Sequence, residues 1–470
     1  MVLLAVLVVI VLGALVGTIA LEQSSMTATN ARLSFQRRAA RAVAWSGVQG
    51  VLCELDESRS SLLRGGEPAP TEEWILYEDG TTVARVRLLP IGSAGIDAQS
   101  SGAPGAGALI IESESAKVNL NISTAEMLSR LAGMGAEPAG AVRSLAARGG
   151  VASVEDIRRA GVDPADEAGR LGGVAIERLA TAYSLDPEVQ GGESAGRERA
   201  RWDGQSGSFD ARLNVSRGAE EAIERLAGAK VDLASAEAAA SALLSHGVEP
   251  ALWGEIWDAV AFSEDGREGL IDINRASEGV LSCVPGFEGL AGEIVAARTR
   301  LGGDRTRGVA WPLEAGVVTR EQMAEALPWI CTRSLFWRVR VTGEIVRTDG
   351  EFGEERLVAS VVLDAVIDVS GERARVAYLR DITFSEAAQG IDAFLAEEDG
   401  PSDDLDELAG TEDPLGGVDM GDPVSEDGAS EIDRSAPTPA ADGGGGGAKS
   451  EPAPAGRSSG RVRGRWTSGG

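Results

Sequence analysis

The sequence predicts an α+β fold: a long N-terminal helix packed on an antiparallel sheet, a large all-helical insertion within that sheet, and a disordered C-terminal tail. Three observations carry the prediction. Twenty uncharged residues, Val2–Leu21, open the chain and pass without a proline into an amphipathic stretch. Strand-like segments stand on both sides of roughly two hundred residues of helical character. Between Glu386 and Asp433 there are seventeen Asp or Glu and no Lys or Arg, a composition that buries too little apolar surface to offset the entropy of ordering.

The opening run is the first element. At 1.5 Å per residue it spans about 30 Å, the thickness of a bilayer's hydrocarbon core. The side chains that would face lipid are Val2, Leu3, Leu4, Val6, Leu7, Val8, Val9, Ile10, Val11, Leu12, Leu15, Val16, Ile19 and Leu21. No basic leader or A-x-A cleavage pattern accompanies the run, so it reads as a single membrane anchor within residues 1–27 rather than a signal peptide. From Phe35, apolar residues recur at Ala39, Ala42, Trp45, Val48, Leu52 and Leu55, one face of a helix. With no proline before Pro68, one continuous helix is predicted, apolar all round at first and then along one stripe that packs on the sheet.

Residues 28–112 carry that helix and the first strands. Trp74–Tyr77 and Thr82–Leu89 flank Asp79-Gly80, a pair favoured in type I′ hairpin turns because both central positions need positive φ. Another strand is predicted at Ala108–Glu112. Residues 113–330 form the inserted helical domain. Residues 331–385 return to strands at Leu335–Arg347, Leu357–Val369 and Arg373–Leu379, rich in β-branched residues. Residues 386–470 form the tail, acidic and then rich in Gly, Pro and Arg. The stretch Glu386–Asp433 supplies 17 of the 29 net negative charges.

The helical insertion contains a repeated phrase. KVNLNISTAEMLSRL at Lys117–Leu131 is similar to GLIDINRASEGVLSCV at Gly269–Val284, with a weaker copy, ARLNVSRGAEEAIERL, at Ala211–Leu226. Each reads as a short extended piece followed by a capped helix. Ser123 or Thr124, and Asn274 or Ser277, are placed to accept from first-turn amides, and Glu126 and Glu278 sit where the helix dipole favours negative charge. The second phrase continues through VPGFEGLAGEIVAAR to Arg298, a helix-hairpin-helix outline turning on Pro285, Gly286 and Gly289. In nucleic-acid-binding hairpins the turn's amides face a phosphate. Here Glu288 stands in the turn and would repel one, although Arg298, Arg300, Arg305 and Arg307 follow, so nucleic acid is not the expected partner.

The residues point away from catalysis. The sequence has no P-loop, G-x-S-x-G or H-E-x-x-H pattern, and its only histidine, His246, follows a helical Ala/Leu run. Cys53, Cys283 and Cys331 lack zinc-ligand spacing; an oxidising compartment would permit one bridge, such as Cys283 to Cys331. Glu112 with Glu114, and Asp163 and Asp166 with Glu167, offer the oxygens that calcium takes, but no cofactor is required. A structural protein, not an enzyme, is expected.

The combination of an apolar helix merging into RRAARAVAWSGVQGVL, the phrases VNLNISTAEML and IDINRASEGVLSCVPGFEGLAGEIVAAR, and the strand opening SLFWRVRVTG (Ser334–Gly343) resembles the general secretion pathway protein K family, minor pseudopilins of type II secretion systems. The resemblance covers about residues 1–385. It implies a pilin-like helix and sheet with a SAM-like or helix-hairpin-helix-like insertion, placed at the tip of a periplasmic pseudopilus. It also implies I-like and J-like minor pseudopilins and the major pseudopilin as partners. Localisation would be the bacterial inner membrane, single-pass, with the globular part in the periplasm. The family lacks the glutamate that pilins carry near the start of the helix, and here the first acid is Glu22, beyond the apolar run. A carboxylate without its partner is costly in lipid. Two features depart from the family: no basic leader precedes Met1, and Arg32, Arg37, Arg38 and Arg41 follow the apolar run, against the positive-inside rule for a periplasmic domain. The alternative expectation is a membrane-anchored helix-hairpin-helix DNA-binding protein of the competence type.

Overall fold

One helix, α1, runs unbroken from Val2 to Glu57, about 84 Å at the standard rise. This computed structural model describes residues 2–91 and 109–384, apart from 132–133, 160–169, 172–173, 192–195, 204–206, 210–212, 230, 232, 264–265, 302–307 and 350–353; for residues 2–11 the backbone alone is described. The predicted tail, 386–470, lies outside the described residues. The chain divides into two units at Phe394, and all of the described residues belong to the first.

Six strands form the main sheet: β1 (Glu73–Glu78), β2 (Thr82–Leu89), β3 (Ile111–Ser113), β4 (Phe336–Asp349), β5 (Glu354–Asp368) and β6 (Arg375–Asp381). Their order is β1-β2-β4-β5-β6, all antiparallel, with β3 beside β4 beyond the end of β2. The strands before and after the long middle segment are thus neighbours, as the sequence predicts. The hairpin joining β1 to β2 turns at Gly80, with φ +82°. The Asp79 carboxylate secures that turn by accepting from the amides of Thr81 (3.1 Å) and Thr82 (2.7 Å).

Side chains alternate across a strand, so the sheet has one apolar and one charged face. Val86, Leu88, Val339, Val341, Val361, Leu363, Ala365 and Ile367 are buried in the core that α1 covers. The face of α1 that meets them consists of Ala40, Ala44, Gly47, Val48, Val51 and Leu55. This corrects the predicted stripe: Phe35 is 74% exposed and Trp45 38%, and Ala42 is also exposed. The reason is steric. A Cβ on Gly343 of β4 would overlap the Ala40 carbonyl and the Ala44 amide and lie 2.7 Å from Ala44 Cα. A Cβ on Gly47 would overlap Val86 and lie 2.7 Å from Val341 Cγ1. Helix and sheet approach too closely for large side chains at the crossing, so small residues take the inner face and the aromatics turn out.

The segment between β3 and β4 builds a second core from Val118, Leu120, Met127, Leu128, Trp253, Phe287 and Trp311, among others. The sequence predicts an all-helical insertion, and this the structure corrects. Short strand pairs stitch its helices together, among them the parallel pairs Val118–Asn119 with Ala180–Thr181 and Ile271–Asp272 with Ile330–Cys331. Two-residue strands have no periodicity to read, so tertiary pairing alone reveals them.

The sequence repeat corresponds to a structural one. In each of these two ladders the first strand ends in an Asx turn: Asn119 Oδ1 accepts from Asn121 N at 2.9 Å, and Asp272 Oδ1 from Asn274 N at 3.0 Å. A helix follows in each case, Ala125–Arg130 capped by Thr124 and Glu278–Leu281 capped by Ser277. The weaker copy starts helix Arg217–Gly228 with Ser216 as its cap.

The charged face of the sheet meets the second segment through ions as well as apolar contacts, with the Tyr183 ring 5.7 Å from that of Tyr378. Arg338 of β4 donates to Glu114 Oε1 and to Asp364 Oδ2, both at 2.8 Å. Lys117 Nζ pairs with Glu114 at 2.7 Å and Glu112 at 2.6 Å, and the Thr181 hydroxyl donates to Glu114 Oε2. Burial opposes ionisation of Glu114, yet the Lys117 and Arg338 charges outweigh it and bring its pKa down to about 2. A lowered folded-state pKa stabilises above the unfolded value and is lost as pH falls.

Two outcomes test these contacts. Gly343→Val loses at least about 3 kcal/mol of stability, because neither backbone can yield, whereas Gly80→Ala, in the exposed hairpin turn, costs about 1 kcal/mol; chemical denaturation compares the two. Between about pH 4.5 and 2 the protein loses on the order of 3 kcal/mol through Glu114, a loss that Glu114→Gln removes from the pH profile of the melting temperature while lowering stability at neutral pH.

Candidate functional site

The first half of α1 is the candidate site, and its geometry follows from where the sheet ends. The helix buries Ala40 onward, while every described residue from Leu12 to Phe35 is exposed. Leu12, Leu15, Val16, Ile19 and Leu21 present 54–73% of their surface, followed by Met26, Leu33 and Phe35. These five are the described members of the predicted anchor. The remaining nine, Val2, Leu3, Leu4, Val6, Leu7, Val8, Val9, Ile10 and Val11, lie where only the backbone is described. Among the described residues no helix is long and apolar enough to cross a membrane. Single exposed leucines are ordinary on a protein surface; Leu12–Leu21 is a larger uncharged patch, whereas residues 22–34 are mostly polar.

Cations occupy the border between the exposed and packed halves. Arg37 lies over the Phe384 ring at 4.5 Å, and Arg41 pairs with Asp381 at 3.5 Å. The helix is thus tied to the end of β6 where its packed half begins.

At its other end α1 leads into a corner held by guanidinium groups. After the short helix Arg59–Leu63 the chain turns at Gly65, with φ +80°. Arg275 donates to the carbonyls of Gly65 and Gly66, both at 3.0 Å, while pairing with Asp272 at 2.6 Å. Arg333 donates to the Leu63 carbonyl at 3.2 Å and holds Asp186 in a bidentate pair at 2.9 and 2.7 Å. Arg59 reaches the carbonyls of Val369 and Ser370, each at 3.2 Å. Sequence reasoning missed these residues, because an arginine that caps a distant carbonyl has no local pattern.

The second predicted site, the hairpin turn, is packed against its neighbours. Pro285, Gly286 and Gly289 lie between helices Glu278–Leu281 and Ala291–Leu301, with φ +82° at Gly286 and +74° at Gly289. A Cβ on Gly286 would overlap the Gln322 carbonyl and come within 3.2 Å of Glu325 Cβ, so the turn rests on helix Arg320–Ala326. Glu288 forms an ion pair with Arg130. Arg298 donates to the carbonyls of Ala276 (2.5 Å) and Ile273 (3.3 Å). Arg300 reaches Ala296 O, at 3.3 Å on its own helix, and Arg305 and Arg307 lie outside the described residues.

The remaining candidates have plain placements. Cys53, Cys283 and Cys331 are all free. The Cys283 thiol donates to Gly279 O and that of Cys331 to Arg333 O, each at 3.3 Å, so the possible bridge is absent. Burial pushes the Cys283 thiol up to about 12, which leaves it un-ionised and unreactive at neutral pH. Among the described residues no group of three or more His, Cys, Asp or Glu is placed to hold a metal ion. Glu112 and Glu114 are engaged by Lys117, and Asp163, Asp166 and Glu167 lie outside the described residues. His246 is exposed at the C-terminus of helix Ala236–Ser245. No family model, no curated protein and no solved structure matches this chain.

Because Leu15 and Ile19 touch no core, changing both to Asp leaves the thermal unfolding of the globular part within about 0.5 kcal/mol of the parent. On the membrane-anchor reading of this half, the same change lowers partition into liposomes sharply, each Asp costing about 3 kcal/mol in the bilayer centre; flotation of the full chain with liposomes measures this.

Proposed function

We propose that the chain is a minor pseudopilin that stands at the tip of a type II secretion pseudopilus, where it supports pseudopilus initiation and protein export without catalysing a reaction. The observation that carries the reading is the division of labour along α1. One half packs on an antiparallel sheet through small residues. The other half projects an unpartnered apolar surface that continues toward the uncharged start of the sequence. A helix so divided suits a subunit held in the bacterial inner membrane before assembly and bundled with the helices of other subunits afterwards. Its globular part would then stand in the periplasm. The partners in this proposal are the I-like and J-like minor pseudopilins and the major pseudopilin, with no cofactor needed for assembly.

A helix-hairpin-helix DNA-binding protein of the competence type is the competing reading. It needs the Pro285-Gly286 turn to meet a phosphate, and that turn rests on helix Arg320–Ala326 with Glu288 beside it. The arrangement favours a packing role for the hairpin.

Co-purification of the detergent-solubilised full chain with the I-like and J-like subunits of the same organism tests the proposal. A stable 1:1:1 complex is the expected outcome, and deletion of Val2–Leu21 abolishes secretion in cells. No association, together with DNA retention that weakens steeply as salt rises, would replace the tip role with the competence-type role.

A further inference from the structure

A cavity of about 210 Å³ lies between the corner after α1 and the second core, lined by Trp257, Arg267, Leu270, Ile330 and Arg333 among others. At about 30 Å³ per water it has room for several waters or one small ligand. Four arginines border it; Arg64 is exposed, and the other three differ in how far they are committed.

Arg333 is fully engaged. Besides Asp186 and the Leu63 carbonyl, it donates to the carbonyls of Pro187 (3.3 Å) and Val189 (2.7 Å). Arg199 is engaged as well, pairing with Glu188 at 3.0 Å and Asp258 at 3.1 Å and donating to the Asp258 carbonyl at 2.9 Å.

Arg267 is different. It donates one hydrogen bond, to the Pro328 carbonyl, and lies over the rings of Trp257 (5.7 Å) and Phe262 (5.5 Å). Among the described residues no carboxylate lies within ion-pair distance of it. A guanidinium carries five N–H donors in a planar fork, so most of this one is unspent. Burial pushes its pKa below the ordinary arginine value, with the Glu188 charge only partly offsetting that, while Arg199 is held above it. A charge withdrawn from water without a direct carboxylate contact is costly.

The rest of the lining indicates what could use its free donors. Leu270, Ile330 and the Trp257 ring are buried apolar surfaces. Asp186 is consumed by Arg333, Asp258 by Arg199 and the Gly191 amide, and Glu255 by Ser216. Arg267 is thus the one of these three buried arginines that makes no direct carboxylate contact, with Asp186 and Glu188 acting on it only from beyond contact distance, and it stands beside an apolar wall.

We propose that this cavity binds a small organic carboxylate, its two oxygens on the Arg267 fork and its apolar body against Trp257, Leu270 and Ile330. Planar guanidinium and carboxylate match bidentately. The same wall gives a short alkyl chain somewhere dry to go, at about 0.8 kcal/mol per buried CH₂. The site uses neither the exposed half of α1 nor the hairpin turn, so it stands or falls separately from the tip role.

Titration calorimetry of the detergent-solubilised full chain with butyrate, 1-butanol and inorganic phosphate tests this. Butyrate is expected to bind saturably, and at least tenfold more tightly than either the alcohol, which lacks the charge, or phosphate, which lacks the apolar body. Arg267→Gln weakens butyrate at least tenfold. Leu270→Phe fills the cavity while leaving the cation in place, and blocks binding too; a melting curve of each variant verifies that it folds. No butyrate heat in the parent protein, equal affinity for butanol or phosphate, or unchanged binding in a folded variant would overturn the site and make Arg267 a cation solvated by water alone.

Discussion

The close contact between α1 and β4 is the constraint from which the rest of the structure follows. Gly343 lies against the backbone of Ala40 and Ala44, so helix and strand approach more closely than any Cβ at that position would allow. Once the crossing point is set there, the small residues of α1 must face inward, and Phe35 and Trp45 must face away. The helix can then be covered by the sheet only along its second half. The exposed first half is therefore not an independent feature; it is what remains of a continuous helix whose packing begins at Ala40.

Two kinds of force hold the two cores together, and they divide by face. The helix side of the sheet is oil, with valines and leucines of β2, β4 and β5 interlocking beneath α1. The other side adds ions to its apolar contacts: Arg338, Asp364, Glu114 and Lys117 form a buried network whose members depend on one another. Such networks add geometric specificity more than net stability, since desolvation consumes most of the attraction. Arginines repeat that logic at the corner after α1, where Arg275 and Arg333 hold backbone carbonyls that no strand or helix satisfies. A buried carbonyl must find a donor, and a long cation with a planar fork can supply one from a distant part of the chain.

The repeat in the middle segment was legible because it is written in local chemistry. An Asx turn, a capping Thr or Ser and a first-turn Glu are each specified within about ten residues, and the Thr124 and Ser277 caps form as their spacing implies. The parallel two-residue ladders that close each copy were not legible, since their partners lie about sixty residues away. The inner face of α1 was misjudged for a related reason. Ranking by hydrophobicity favoured Trp45 and Phe35, whereas the space available at the crossing favoured Ala44 and Gly47. Gly343, within a β-branched strand, was the one signal that another backbone comes close.

By itself the sequence determined the elements with strong local signatures: the long helix without a proline, the Asp-Gly hairpin, the late β-branched strands and the helix caps. Periodicity and turn chemistry act within a few residues, so they survive without knowledge of the fold. Only the tertiary structure decided which face of α1 is buried, that the middle segment carries strands among its helices, and how the buried arginines of the corner are paired. Those outcomes depend on the distance between backbones and on charges brought together from remote positions, and neither is encoded in any short stretch of sequence.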